Sequence, residues 1–130
     1  MKISFVIPIA PRTKKNHQDI IRTANGRRMV LPSKQYRQYE RDALLFVPSV
    51  AEPIAHAVNV RAVYYTDTRR KVDITNLHQA LHDLLVTSGL LADDNSRIIA
   101  ATDGSRVMYD KEHPRTEVTI TDFCGEEGSG

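Results

Sequence analysis

The chain has 130 residues, 41% hydrophobic and 26% charged, with six glycines and six prolines. This is the composition of one globular domain, long enough to bury a core without staples. No apolar run approaches the roughly 20 residues of a membrane-spanning helix, and Cys124 is the only cysteine, which excludes an intrachain disulfide and a cysteine-based zinc cluster. The lone thiol points to a reducing cytoplasm, and Met1–Ala10 reads as strand rather than signal peptide.

Lys2–Ile9 alternates, with Ile3, Phe5, Ile7 and Ile9 on one face, and predicts a strand ended by Pro8 and Pro11. Pro11–Leu31 has no sustained period. Its Asn25-Gly26 step is a type I′ turn signal, so this stretch reads as a long basic loop or a loose hairpin. From Pro11 to Arg41 nine Lys or Arg face only Asp19 and Glu40, a local balance of +7 against a net charge of +2 for the whole chain. Such clustering is the footprint of a polyanionic partner, and on charge alone also that of a solvated loop.

Ser33 is the expected N-cap of a first helix carrying Tyr36, Tyr39, Ala43, Leu44 and Val47 at helical spacing, with Pro48 as its stop. Val58–Tyr65 alternates as a second strand. A central helix follows from about Ile74 to Ser88, with Ile74, Leu77, Leu81, Leu84, Leu85 and Ser88 on one stripe and Gly89 as the residue that closes it. Ser96–Thr102 and Thr116–Thr121 read as short strands, separated by a turn at Asp103-Gly104 and a polar loop over Asp110–Pro114. The expected architecture is α/β: a single mixed sheet of about four strands with two main helices packed against it. Residues 1–122 form one domain, and 123–130 form a flexible acidic, glycine-rich tail.

The chemistry gathers around the central helix. Arg69, Arg70 and Lys71 precede Asp73, and Asp93-Asp94 follow Gly89. Asp73 stands where an N-cap belongs, and helix starts also attract anions. Phosphodiester hydrolysis usually uses one or two Mg²⁺ ions held by carboxylates. A helix of about 15 residues sets its ends about 22 Å apart, so Asp94 meets Asp73 only if the chain returns alongside or a second subunit contributes. As plain structure, Asp73 is a cap and Asp93-Asp94-Asn95 a turn. His78 and His82 share a helical face, but without the Glu-Xaa-Xaa spacing of a zinc protease or a third ligand.

The run Asp73-Ile-Thr-Asn-Leu-His-Gln-Ala-Leu-His-Asp-Leu-Leu, then Gly89-Leu-Leu-Ala-Asp-Asp94, resembles the RusA family of Holliday junction resolvases, often prophage-encoded. Pro8, Pro11, Lys14-Lys15-Asn16 and the Ser33…Tyr36 helix start are also similar, so the resemblance reaches to about Thr121. It implies a homodimeric, Mg²⁺-dependent endonuclease (Mn²⁺ as an alternative ion) that cuts four-way DNA junctions in recombination and repair. Asp73 and Asp94 match catalytic carboxylates that hold metal. Asp93 joins them as a candidate ligand, and Asn76 and Asp83 match recurring positions beside the site. Lys14, Lys15, Asn16, Arg27, Arg28, Arg69, Arg70 and Lys71 are the candidate DNA contacts.

Two positions depart from the family pattern. Thr75 replaces its second carboxylate, and Gln79 replaces its catalytic lysine. A neutral ligand lowers the charge that holds a metal, and an amide cannot stabilise developing charge as an ammonium does. Two nucleic-acid readings follow, a junction-cutting enzyme and a junction-binding module with little cleavage; a plain α/β domain is the third.

Overall fold

The computed structural model describes residues 1–14, 18–22 and 24–123. Chain order is β1 (Lys2–Ile7), β2 (Gln18–Arg22), β3 (Arg28–Pro32), α1 (Lys34–Leu44), β4 (Val58–Thr66), α2 (Ile74–Thr87), β5 (Ile99–Ala101), β6 (Arg106–Tyr109) and β7 (Arg115–Asp122). One mixed sheet runs β1-β7-β4-β5, with β6 also on β4, while β2 and β3 form a separate antiparallel hairpin.

The main sheet has five strands, one more than the pattern predicts. The extra strand is β6, whose Arg-Val-Met-Tyr lies at an edge and is mostly exposed. Only its pairing with β4, Tyr64 opposite Val107, makes it a strand. Elsewhere local chemistry shifts the boundaries. β1 stops at Ile7 because the Ile9 N–H turns back to the Ile7 carbonyl at 2.9 Å. The strand expected from Ser96 starts at Ile99, because Asn95 holds a turn there: its side chain accepts from the Arg97 N–H and its carbonyl from the Ile98 and Ile99 N–H groups.

The basic stretch before α1 is a hairpin. Its five-residue connection is wider than a two-residue type I′ turn, and Asn25 keeps negative φ while Gly26 alone takes φ +78°. A type I′ turn needs positive φ at both central residues.

Both helices are capped as their sequences imply. The Ser33 hydroxyl accepts from the Tyr36 N–H at 3.1 Å, and the Asp73 carboxylate from the Thr75 N–H at 2.9 Å. At its other end α2 closes around Gly89, at φ +86°. The Leu90 N–H donates to the Leu85 carbonyl and the Gly89 N–H to that of Val86, the paired bonds of a Schellman motif.

The core lies on one face of the sheet. Val58, Val60, Ala62 and Tyr64 of β4, with Val118 and Ile120 of β7, pack against Tyr36, Tyr39 and Ala43 of α1 and Leu77, Leu81, Leu84 and Leu85 of α2. The expected stripes of both helices are therefore the buried ones. At roughly 1.5–3 kcal/mol per fully buried large apolar side chain, this layer dominates the stabilisation.

Topology gives the molecule two distinct ends. β1 and β4 are both antiparallel to β7 and so run the same way. α2 runs back against β4, and β5 and β6 return parallel to it. The end where β1 and β4 finish thus carries the start of α2, and the opposite end carries its finish.

Candidate active site

At the first end, the connection from β4 to α2 faces the segment that follows β1. Arg12 and Thr13 form one wall of a cleft of about 330 Å³, and Thr66, Asp67, Arg70 and Lys71 form the other. Thr66 is nearly buried and pins this loop: its hydroxyl donates toward the carbonyls of Thr68 (2.9 Å) and Met108 (3.2 Å), and its own carbonyl accepts from the Asp110 N–H. The Thr68 hydroxyl accepts from the Arg70 N–H at 3.2 Å. Arg12 lies 3.6 Å from Asp67 across the cleft. Arg70 and Lys71 are exposed and make no ion pair among the described residues, so the cleft carries an excess of positive charge.

Asp73 follows directly, at the start of α2. One carboxylate oxygen caps the helix, and the other makes no hydrogen bond among the described residues. A cap and an available anionic oxygen coexist in one side chain. Thr75 and Gln79 are exposed on α2 one turn apart, and Asp83 continues that stripe one turn further. Asn76 is half-buried, its N–H donating to the Asp73 carbonyl.

Lys14 does not project freely from the basic segment. Its Nζ donates to the Asp83 carboxylate at 2.7 Å, 69 residues away in sequence. An ammonium therefore lies one helical turn beyond Gln79, the position where the sequence lacks a cation. Arg69 stacks over the Tyr109 ring, its guanidinium carbon 4.0 Å from the ring centre. Arg27 is exposed in the hairpin turn, while the side chain of Arg28 and both Lys15 and Asn16 lie outside the described residues.

Asp93 and Asp94 are at the opposite end. Leu91 bridges to Ile54 ahead of β4, and the Ala92 N–H donates to the Ile54 carbonyl. Asp93 spends both oxygens on its own turn, accepting from the Asp94 N–H at 2.7 Å and the Asn95 amide at 3.1 Å. Asp94 is exposed, and its carboxylate has no partner among the described residues. α2 has 14 residues, which at 1.5 Å per residue sets its ends about 21 Å apart. The chain does not fold Asp94 back beside its own Asp73. Among the described residues no group of three or more His, Cys, Asp or Glu is disposed to hold a metal ion.

The two half-buried histidines join the buried Tyr64 in an array. The Tyr64 hydroxyl and His78 Nδ1 are 2.7 Å apart, and the His78 and His82 rings stack at 5.4 Å and 7°. Burial, reinforced by His78, pushes the His82 pKa down to about 4, while Asp83 opposes the shift. His82 Nε2 is buried without a hydrogen-bond partner. The shared helical face was readable in the i, i+4 spacing, whereas Tyr64 as the partner of His78 was not.

Sequence reasoning passed over Arg12, Thr66 and Tyr109 as site residues. Arg12 was visible only as one cation among nine, and Tyr109 lay in the strand that the pattern does not show.

The family described as Endodeoxyribonuclease RusA matches residues 8–121. The chain belongs to the RusA family. Its members are endodeoxyribonucleases of the Holliday junction resolvase type, acting on branched DNA and in general dependent on a divalent metal. The match spans the cleft, all of α2 and both helix ends, where Asp73 and Asp94 lie. No curated protein matches the chain. No helix among the described residues is long and apolar enough to cross a membrane.

Proposed function

We propose that this RusA-family protein hydrolyses phosphodiester bonds of four-way DNA junctions with two active sites, each assembled between two copies of the chain. The observation that carries this reading is the separation of Asp73 and Asp94 to opposite ends of α2, each with available carboxylate oxygen. Two copies related by a two-fold axis with their α2 helices antiparallel bring Asp73 of one toward Asp94 of the other, twice. Paired sites match a substrate that must be nicked in two strands.

The available donors are hard carboxylate oxygens, which suit Mg²⁺ or Mn²⁺. One protomer alone offers too few, and Asp73 with the other copy's Asp94 would hold the ion, with Asp93 shaping the turn that presents Asp94. A divalent ion there supplies positive charge for hydrolysis. Arg12, Arg70 and Lys71 bind backbone phosphates flanking the scissile bond, as charge-assisted hydrogen bonds favour. Arg27, Arg28, Lys15 and Asn16 extend that contact along the arms. Thr75 contributes a neutral oxygen, and Lys14, held by Asp83, supplies the cation missing at Gln79.

Subunit mixing tests this. Asp73→Asn and Asp94→Asn are each inactive alone, but mixed dimers regain one intact site. An equal mixture is expected to recover about a quarter of wild-type sites if subunits exchange freely. A mixture of exchanged subunits as inactive as its parents overturns assembly between copies. The changes at Thr75 and Gln79 support a second reading, a junction-binding protein with little cleavage. Wild-type protein that binds but never cuts a junction in Mg²⁺ or Mn²⁺ would favour it.

A further inference from the structure

Beside the phosphate cleft lies a second one, of about 240 Å³, walled by Thr66, Thr68, Arg69, Arg70, Met108 and Tyr109. The two clefts share Thr66, Thr68 and Arg70. We infer that the second cleft receives one unpaired nucleobase, stacked on Tyr109, from the strand whose backbone lies in the first. The inference rests on the branched-DNA reading above and adds to it a site for a base.

Tyr109 ends β6, an edge strand paired to β4 on one side only. Tyr109 is 39% exposed and Met108 beside it 44%, so an aromatic and an apolar residue face solvent at the rim of a cationic cleft. The ring does not swing freely, because Arg69 stacks on it at 4.0 Å and the Asp110 N–H ties the backbone to the Thr66 carbonyl. The bond from the Thr66 hydroxyl toward the Met108 carbonyl joins β6 to the loop that bears Arg70. Ring and phosphate-binding cations are thus fixed relative to each other before DNA arrives.

The chemistry selects the occupant. Ring and guanidinium planes are the platforms on which unpaired bases stack, and neighbouring cations hold the backbone. A pocket for a whole cofactor or drug-sized ligand usually measures about 300–1,000 Å³; this cleft is smaller and open, which suits one base of a longer chain. Extruding a base costs unstacking and unpairing energy, and the unstacking share is smaller at a branch point, where helix stacking is interrupted, than within continuous duplex. Tyr109 therefore favours junctions over continuous duplex.

The test is fluorescence anisotropy in Ca²⁺, without cleavage, on a four-way junction and a linear duplex of the same sequence. A 2-aminopurine at the branch reports stacking. Tyr109→Ala is expected to weaken junction binding by about 5- to 150-fold, the range of a lost base–aromatic stack, and to abolish 2-aminopurine quenching. Tyr109→Phe retains both, duplex affinity is unchanged, and thermal melting of Tyr109→Ala matches wild type. A junction-selective wild type whose binding and quenching survive Tyr109→Ala overturns the base site alone. Equal losses on junction and duplex, or a Tyr109→Phe variant as weak as Tyr109→Ala, overturn it too. A wild type that prefers neither DNA overturns the branched-DNA reading and this inference together.

Discussion

The two ends of the molecule differ in kind. Where β1 and β4 finish, Arg12, Arg69, Arg70 and Lys71 surround a cleft next to Asp73. Where they begin, the carboxylates of Asp93 and Asp94 stand among exposed positions, and the segment leaving α1 toward Ile54 exposes Leu45 (81%), Phe46 (43%) and Val50 (39%). One end carries an excess of positive charge, and the other offers acid and apolar surface. The difference teaches that a motif continuous in sequence is divided in space by the helix at its centre. The proposal that a nuclease site uses both halves calls for a second copy.

The comparison breaks most sharply at the carboxylates. Asp94→Asn alone is expected to slow single-turnover junction cleavage by at least about 10²–10³-fold, despite its distance from the cleft. Cleavage at the wild-type rate in that variant would confine the chemistry to the cationic end. Next in size, Thr75→Asp combined with Gln79→Lys is expected to raise the cleavage rate by up to about 10²-fold. No gain would mean that Lys14 and the existing ligands already supply what the two positions lack.

A smaller effect concerns pH. His82 has a folded pKa of about 4 against 6.5 for an exposed histidine. The unfolded chain therefore takes up the proton first, and stability falls as pH drops from about 6.5 toward 4. The loss is up to about 3 kcal/mol, with His78 adding in the same direction and Asp83 opposing it at His82. Urea unfolding at pH 7 and 4.5 measures it, and His82→Leu should shrink the difference; an unchanged difference in that variant would remove His82 as its source. The smallest effect separates the two roles of Asp73. Asp73→Ala should cost about 1 kcal/mol in thermal or urea unfolding through the lost cap, and Asp73→Asn almost nothing, because Asn caps equally well. Cleavage should be lost in both. A destabilised Asp73→Asn would show that its charge, rather than the cap, stabilises the fold.

Much of this molecule is legible locally. The Ser33 and Asp73 caps, the Gly89 stop, the buried stripes of α1 and α2 and the alternation of β4 were all readable, since each depends on residues within a turn or two. The candidate site was readable as residue types but not as an arrangement. Lys14 was readable as a candidate DNA contact, whereas its ion pair with Asp83 was not. Tyr109 was assigned to no element because β6 has too little local pattern of its own.

The sequence by itself determined the helices with their ends, the core faces, the excess of cations before Asp73 and the family motif, because periodicity, capping and motif spacing are short-range properties. Only the tertiary structure decided that β6 pairs with β4, that Thr66 couples the two clefts and that the chain after α2 turns toward Ile54 rather than returning beside Asp73. Those relations depend on how a parallel crossover returns the chain across the sheet. That return is set by burial of whole faces rather than by any residue's near neighbours.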